Sequence, residues 1–287
     1  MEKSVKKGIG RAELFAAAIL WGLAGVCVKS ISWSSMSLMA ARSILSLIVL
    51  LSFKRSFRIR FTKTNVFGGI MMALTGILYV ESIKLTTAGT AIVLQYIAPI
   101  LVYLFGVLFK KRRINAKEMF IVFAVFVGCV LSFADQLDAT HIIGNILGLL
   151  SGFTFAGEII ISSESGTDTE DCLIISNIIA LLFCLPFTFF DKSLVFNTKN
   201  ILWVLVLGIF QYGFANLLFS KGIKKVDALE ASLILTIEPI FNPIPVWIIC
   251  NEKMGPLAII GSVIVIFFVA LYSVIPRKYS DFVVENK

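Results

Sequence analysis

The 287-residue sequence is short of the residues on which soluble enzymes and metalloproteins depend. Only 15% of its residues are charged, against about a quarter in a soluble domain. It holds a single histidine, His141, and its five cysteines form no CxxC pair, so no metal site or disulfide framework is indicated. It also lacks the Gly-rich GKS/T loop that binds nucleotide phosphates. We therefore predict that the protein is not an enzyme and uses neither a cofactor nor a metal.

Apolar surface is what the sequence has in excess. Hydrophobic residues make up 58% of it, and the mean hydropathy is +0.92. A single core of this length cannot hide so much apolar surface, so lipid must be the solvent for much of it. The formal net charge is +8, but the charges sit in short clusters between apolar runs. The predicted partner is therefore a lipid bilayer and not a nucleic acid.

Apolar segments of about 20 residues, long enough to cross a bilayer, recur along the whole chain. They predict an all-α integral membrane protein with ten transmembrane helices. The predicted spans are 12–29, 33–53, 65–83, 86–109, 116–134, 141–162, 172–190, 200–220, 228–250 and 256–275.

Lysine and arginine lie mostly at one alternating set of span ends. Of the 26 basic residues, 20 lie at that set and 5 at the other, while Arg42 lies inside the second span. Because basic loops stay in the cytoplasm, both termini are predicted to be cytoplasmic, in the inner membrane of a bacterium. The loop SESGTDTED, residues 163–171, has no basic residue. We predict that it is an acidic cytoplasmic linker between two halves.

The two halves of the sequence resemble each other at an offset of 140 residues. IKLTTAGTAIVLQYIAPI (83–100) and IKKVDALEASLILTIEPI (223–240) are identical at seven of eighteen positions. This predicts two repeats, 1–134 with spans one to five and 135–287 with spans six to ten. Because five is odd, the second repeat enters the membrane inverted. Inverted repeats are typical of secondary transporters, which bind their solute between the repeats near the midplane.

The segments YVESIKLTTAGTAIVLQYIAP and LFSKGIKKVDALEASLILTIEPI resemble the two EamA repeats of the drug/metabolite transporter superfamily. The resemblance covers nearly the whole chain. It implies a bundle of ten helices around a central cavity and the transport of a small metabolite, usually by export. It places the recurring prolines of that family at Pro99 and Pro239, as structural or hinge residues, and a frequent glutamate at Glu252. The first half departs from the family pattern, with KKRRI where a Gly-Glu is common.

Three ionisable residues lie within the predicted spans, where a charge costs about 2.5–3.5 kcal/mol and must face protein or water. Arg42 and Glu238 have similar depth, so Glu238 is predicted either to line a cavity or to have a structural role, as an ion-pair partner of Arg42 or as part of a hinge common to the family. Glu158 has no basic residue at its own depth and shares a polar face with serines and threonines. It is therefore a candidate to hold a proton or a substrate amine, unless span six ends early and leaves it at the interface.

Polar and aromatic residues on the same faces complete a predicted central cavity, with spans five and ten at its periphery. For a lone tryptophan or tyrosine in such a helix, packing or interface anchoring is favoured over a role in the cavity. The predicted function is secondary transport, by export, of a small metabolite such as an amino acid or related amine, with a proton as a possible partner. The alternative is a multidrug exporter of lipophilic cations. The predicted cavity residues are Trp21, Tyr79, Gln95, Tyr96, Glu158, Gln211, Tyr212, Glu238 and Asn242, with Arg42, Pro99 and Pro239 in structural roles.

Overall fold

The computed structural model describes residues 2–54, 58–110, 114–134, 137, 139–242, 245 and 255–274. Every regular element in these ranges is a helix. A π-helical segment, Val206–Phe214, lies between α10 and α11. The others are α1 (Glu2–Trp21), α2 (Ala24–Ser30), α3 (Ser35–Phe53), α4 (Lys63–Leu85), α5 (Ala88–Gln95), α6 (Ala98–Phe109), α7 (Ala116–Ser132), α8 (Ile142–Ser163), α9 (Thr169–Thr188), α10 (Thr198–Leu205), α11 (Ala215–Ile223), α12 (Ala228–Leu235), α13 (Ile237–Phe241) and α14 (Pro256–Val274).

Seven helical stretches in this part of the chain are long and apolar enough to cross a membrane. The prediction of an all-helical membrane protein is therefore confirmed, whereas the number ten stays a prediction. Helix α7, over the predicted fifth span, has 17 residues, and much of the predicted ninth span, with Glu252 beyond it, falls outside the described residues. The seven stretches are Val5–Ser30, Ser35–Phe53, Lys63–Leu85, Ala88–Phe109, Ile142–Ser163, Thr169–Thr188 and Thr198–Ile223.

Short polar side chains begin many of the helices. At a helix start the first N–H groups have no partner within the helix, and a serine, threonine, asparagine or aspartate just before it accepts one of them. Ser34 accepts from the Ser37 N–H, and Asp168 accepts from the N–H groups of Glu170 and Asp171. Thr62, Thr87, Asn115, Asn197 and Asp227 do the same for α4, α5, α7, α10 and α12.

Three of the helical paths are broken near their middle. The breaks lie between α1 and α2, between α5 and α6, and between α12 and α13. Pro99 is the second residue of α6. A backbone N–H at this place has no partner within the helix, so a proline loses no hydrogen bond there. Pro239 occupies the equivalent place in the second half, within α13. The two predicted prolines therefore lie at the breaks of matching helices.

Helix packing repeats between the two halves. Helix α4 packs on α8 as α11 packs on α1, and α5 packs on α8 as α12 packs on α1. Helix α3 packs on α9, and α7 packs on α14. In each of these two pairs, one helix has in the first half the position that the other has in the second half. Exchanging the halves thus reproduces the packing, as two repeats related by a twofold axis require.

A stripe of glycines on α8 brings α4 and α5 close to it. A Cβ atom added at Gly144 would lie 2.9 Å from the Leu85 carbonyl carbon, and one at Gly152 would lie 2.8 Å from the Leu94 carbonyl oxygen. Gly148 faces the Ser82 hydroxyl at a similar distance. Small residues of this kind let helix backbones approach within a membrane, where apolar side chains alone give little preference for helix over lipid.

One end of the bundle, here called the basic end, is held by ion pairs. Lys7 Nζ and Arg11 Nε lie 2.8 and 2.6 Å from the carboxylate of Glu230, which is fully buried. Lys225 Nζ lies 2.5 Å from Glu13. These contacts join α1 to the first turn of α12 and to the segment before it, so they close this end between the two halves.

At the opposite end, the carboxylate of Asp191 connects a loop to the start of α3. Asp191 accepts hydrogen bonds from the Ser34 N–H at 3.0 Å, from the Ser34 and Ser37 hydroxyls at 2.8 and 2.5 Å, and from Ser193. Partial burial acts to raise the pKa of Asp191, but the hydrogen bonds from Ser193, Ser37 and Ser34 outweigh it and lower the pKa well below its ordinary value. Asp191 thus fixes the loop after α9 to the start of α3.

Replacing Asp191 by asparagine should lower the thermal stability of the full-length protein by a few degrees near pH 7. The folded-state pKa is depressed, so the stabilisation is complete above the unfolded pKa of about 3.9 and is lost as the pH falls below it. The gap between wild type and Asp191→Asn should therefore narrow in acid, as measured by thermal unfolding in nanodiscs between pH 3 and pH 7. Lys192→Gln, an exposed neighbour, is the control. A gap that stays constant with pH would contradict the assignment.

Candidate functional site

A central cavity lies where the broken helices meet, with a volume of about 50 Å³, enough for a few water molecules. Seven of the nine predicted cavity residues line it, and Tyr96 and Asn242 lie behind its wall. None of the lining residues belongs to α7 or α14, which pack on each other at the side of the bundle. The lining residues are Trp21, Ala24, Arg42, Met72, Thr75, Gly76, Tyr79, Val80, Gln95, Phe155, Glu158, Gln211, Tyr212, Asn216 and Glu238.

Glu238 is fixed between two helix breaks. It lies in the first turn of α13, and its Oε2 accepts a hydrogen bond from the Tyr96 hydroxyl at 2.7 Å. Tyr96 ends α5, and its Oη also lies 2.7 Å from the Leu235 carbonyl oxygen at the end of α12. Tyr96 therefore positions the carboxylate of Glu238 rather than facing the cavity itself.

Asn242, which the sequence predicts to line the cavity, packs against the first helix instead. Its Nδ2 donates to the Gly22 carbonyl at 3.1 Å, and a Cβ atom at Gly25 would lie 2.9 Å from the same Nδ2. Gln211 Nε2 donates in the same way to the Trp21 carbonyl at 3.3 Å. The break between α1 and α2 frees these two carbonyls, and side chains from the second half take them up.

Arg42 does not pair with Glu238, although the two have similar depth. Its guanidinium lies over the Tyr212 ring, with Cζ 3.8 Å from the ring centroid, and a Cβ atom at Gly76 would lie 2.5 Å from Nη2. No salt bridge to Arg42 occurs among the described residues. The depth of a residue in the membrane does not determine the direction in which its side chain points. The side chain of Arg42 points towards α4 and the π-helical segment. The expected ion pair is therefore replaced by a cation–π contact.

Glu158 has a basic neighbour after all. It is 6% exposed on α8, so span six does not end before it, and Arg42 and Glu238, at 3% and 5%, are buried with it. Its carboxyl group lies beside the Thr75 hydroxyl and lines the same cavity as Glu238 and Arg42. The cavity thus brings one guanidinium and two carboxyl groups into a single electrostatic field, contrary to the expectation that Glu158 stands apart from basic residues.

Several polar atoms around the cavity have no hydrogen-bond partner in the part of the chain that the structure describes. Buried polar groups in native proteins nearly always have one, so a cluster of exceptions around one cavity marks a place where a solute or water can bind. Donors and acceptors are both present. The donors are Trp21 Nε1, Arg42 Nε, Arg42 Nη2 and Asn216 Nδ2, and the acceptors are Gln95 Oε1 and Gln211 Oε1.

A π-helical turn supplies two neighbouring residues to the cavity. Gln211 and Tyr212 both line it, although adjacent residues on a regular helix point about 100° apart. Gly208 and Gly213 within this segment let α3 approach, since added Cβ atoms would lie 2.5 and 2.9 Å from Cβ atoms of Leu45 and Val49. The wider π turn is frequent at functional sites. No pattern in the sequence predicts this π turn. The sequence also does not identify Thr75 and Phe155 as cavity residues, because each resembles an ordinary packing residue.

A membrane bundle whose broken helices enclose a buried polar cavity belongs to the class of solute transporters. The model of the EamA-like transporter family matches residues 9–134 and 142–274. The chain belongs to this family, and it does so through two copies of the repeat.

The fold is also that of solved structures. One crystal structure, described only as that of a protein, is 17% identical and matches with a TM-score of 0.80 over 96% of this chain and 99% of its own. At that identity the likeness concerns the fold. No curated protein matches the sequence.

The hydrogen bond from Tyr96 to Glu238 can be measured by a double-mutant cycle. Tyr96→Phe and Glu238→Gln should each lower the unfolding free energy, and together by less than their sum. The expected coupling is about 1.5–3 kcal/mol, the usual value for a hydrogen bond to a charged group. Thermal or denaturant unfolding of the four proteins in one detergent provides the measurement. Additive effects, within about 0.5 kcal/mol, would show that the two groups do not interact.

Proposed function

We propose that the protein is a secondary transporter that exports a small zwitterionic metabolite, an amino acid or related amine. The observation that carries this proposal is the composition of the central cavity. Arg42 presents two nitrogens, Nε and Nη2, that have no hydrogen-bond partner among the described residues, and Glu158 and Glu238 present carboxyl groups in the same space. A carboxylate of the solute would bind to Arg42, and its ammonium group would lie between the two glutamates.

A multidrug exporter of lipophilic cations is less compatible with this cavity. The aromatic residues Trp21, Phe155 and Tyr212 suit such a cation. Arg42, however, would then lie buried beside a second positive charge with its N–H groups still unsatisfied, which is costly in a low-dielectric site. The volume of about 50 Å³ also favours a small solute, and even that requires the helices to move apart.

The membrane arrangement that we propose is ten helices in two inverted halves, with the basic end in the cytoplasm. It is supported by the asymmetry of the basic residues and by the packing that repeats between the halves. Export then proceeds by alternate opening. The Glu230 ion pairs separate to admit the solute from the cytoplasm, and the Asp191 contacts separate to release it. Movement at the broken helices, beside Pro99 and Pro239, would accompany each change.

Arg42→Lys should test the proposed solute class. Lysine keeps the charge but loses the fork of N–H donors that binds a carboxylate. The KM for a transported amino acid should rise about tenfold or more, while the KM for the amine lacking its carboxylate should change little. Uptake of radiolabelled amino acids and their decarboxylated amines into inverted vesicles provides the comparison. If lipophilic cations are transported and the variant moves them as well as the wild type does, the alternative function is correct.

Glu158→Gln should abolish coupling to a pH gradient and leave the fold intact, because Glu158 is the cavity carboxyl group on an unbroken helix. Transport by inverted vesicles would be measured with and without the gradient, beside thermal stability in detergent. Glu238→Gln is the comparison, and it should lower stability through Tyr96 rather than through an unpaired Arg42. If Glu158→Gln transports with unchanged pH dependence, the proton role of Glu158 is wrong.

A further inference from the structure

A second cavity lies at the basic end of the bundle and shares no lining residue with the central one. Its volume is about 420 Å³, large enough for a metabolite without any helix movement. Both halves contribute to its walls. Arg60 comes from the segment before α4, residues 165–170 from the linker and the start of α9, and Ser220 and Lys224 from the end of the α11 path.

Most of the charge around this linker pocket is already balanced. Arg60 pairs with Asp168 and, at 3.4 Å, with Asp171. Lys54 Nζ lies 2.7 Å from the other oxygen of Asp171. Two cations and two carboxylates thus neutralise one another along one wall of the pocket.

Two opposite charges of the pocket have no such partner in the described part of the chain. Lys224 Nζ donates to the backbone carbonyl of Glu164 at 2.7 Å, and no salt bridge to Lys224 occurs among the described residues. The Glu164 carboxylate pairs with Lys110 instead, at 2.7 Å. Glu170 is half-buried in the first turn of α9, and its carboxylate forms no ion pair within the same described ranges.

A buried hydroxyl adds a group that the fold does not satisfy. Thr167 is only 6% exposed, it lines the pocket, and its Oγ1 has no hydrogen-bond partner within the described ranges. Leaving a buried hydroxyl unsatisfied is unfavourable, because the group loses its hydrogen bonds to water and gains none in exchange. A valine of the same shape would avoid that cost, so the hydroxyl points to a bound polar group rather than to packing.

We propose that the linker pocket binds a small zwitterionic solute, with its carboxylate on Lys224, its ammonium group on Glu170 and a further hydrogen bond from Thr167. The site is separate from the central cavity and does not depend on which solute the cavity carries. Because the pocket walls come from both halves, a bound solute should raise the thermal stability of the junction between them.

Calorimetric titration of the full-length protein with L-glutamine tests this proposal, since glutamine carries both charges. The controls are glutaramate, which lacks the ammonium group, and 4-aminobutanamide, which lacks the carboxylate. Glutamine should bind about tenfold or more tightly than either. Lys224→Gln, Glu170→Gln and Thr167→Val should each weaken this binding event. Lys221→Gln, an exposed lysine one turn earlier on α11, should retain it.

The central cavity is distinguished from the linker pocket by Arg42→Lys, which should leave the pocket binding unchanged. Thr167→Val should also keep or raise the melting temperature in the absence of solute, so weaker binding by that variant cannot reflect misfolding. Repeating the titration in nanodiscs with and without phosphatidylethanolamine separates a free solute from a lipid headgroup of the same chemistry, and competition by the lipid would assign the site to the headgroup. The proposal would be overturned if glutamine did not bind, or if its binding did not depend on Lys224 and Glu170.

Discussion

The absence of water in the hydrocarbon core is the constraint on which this structure depends. Every backbone carbonyl and every charge placed there must find its partner within the protein or in a cavity that the protein encloses. The break between α1 and α2 obeys this rule, because Gln211 and Asn242 donate to the carbonyls of Trp21 and Gly22. Side chains from one half thereby satisfy backbone freed in the other, so the breaks also hold the halves together.

The same constraint shapes the charges of the central cavity. Arg42 rests on the Tyr212 ring, Glu238 is held by Tyr96, and Glu158 adjoins Thr75. Each charge is positioned by a neutral neighbour rather than neutralised by a direct ion pair. Neutral neighbours of this kind leave the charges available to a solute, whereas mutual ion pairing would consume them. Direct ion pairs occur instead at the basic end, where Glu230 and Asp171 bind lysine and arginine.

Much of this arrangement could be predicted from the sequence, because it follows from signals along the chain. Apolar length predicts the spans, the repeated IKxxxA and P-I positions predict the two halves, and charges in apolar runs predict the cavity. The features that could not be predicted depend on the direction in which a side chain points across the bundle. Arg42 and Glu238 match in depth, yet they point to different neighbours, and Asn242 shares a helical face with Glu238 only if the helix is unbroken. The π-helical segment changes the direction of Tyr212 in the same way, by tertiary packing on α3.

The linker between the halves is held in place by ion pairs and a hydrogen bond as well as by its covalent bonds. Asp171 binds Lys54, Asp168 binds Arg60, and the Asp168 N–H donates to Asn65 Oδ1 at 3.0 Å, so the second half is attached to the first directly beside the loop. A chain cleaved between Ser165 and Thr167 would lose the effective concentration that the linker provides, but it would keep all of these contacts. In this respect the two halves resemble the two subunits of a dimer that are joined in one polypeptide. The loop keeps the halves at a ratio of one to one, whereas the contacts between them determine their arrangement.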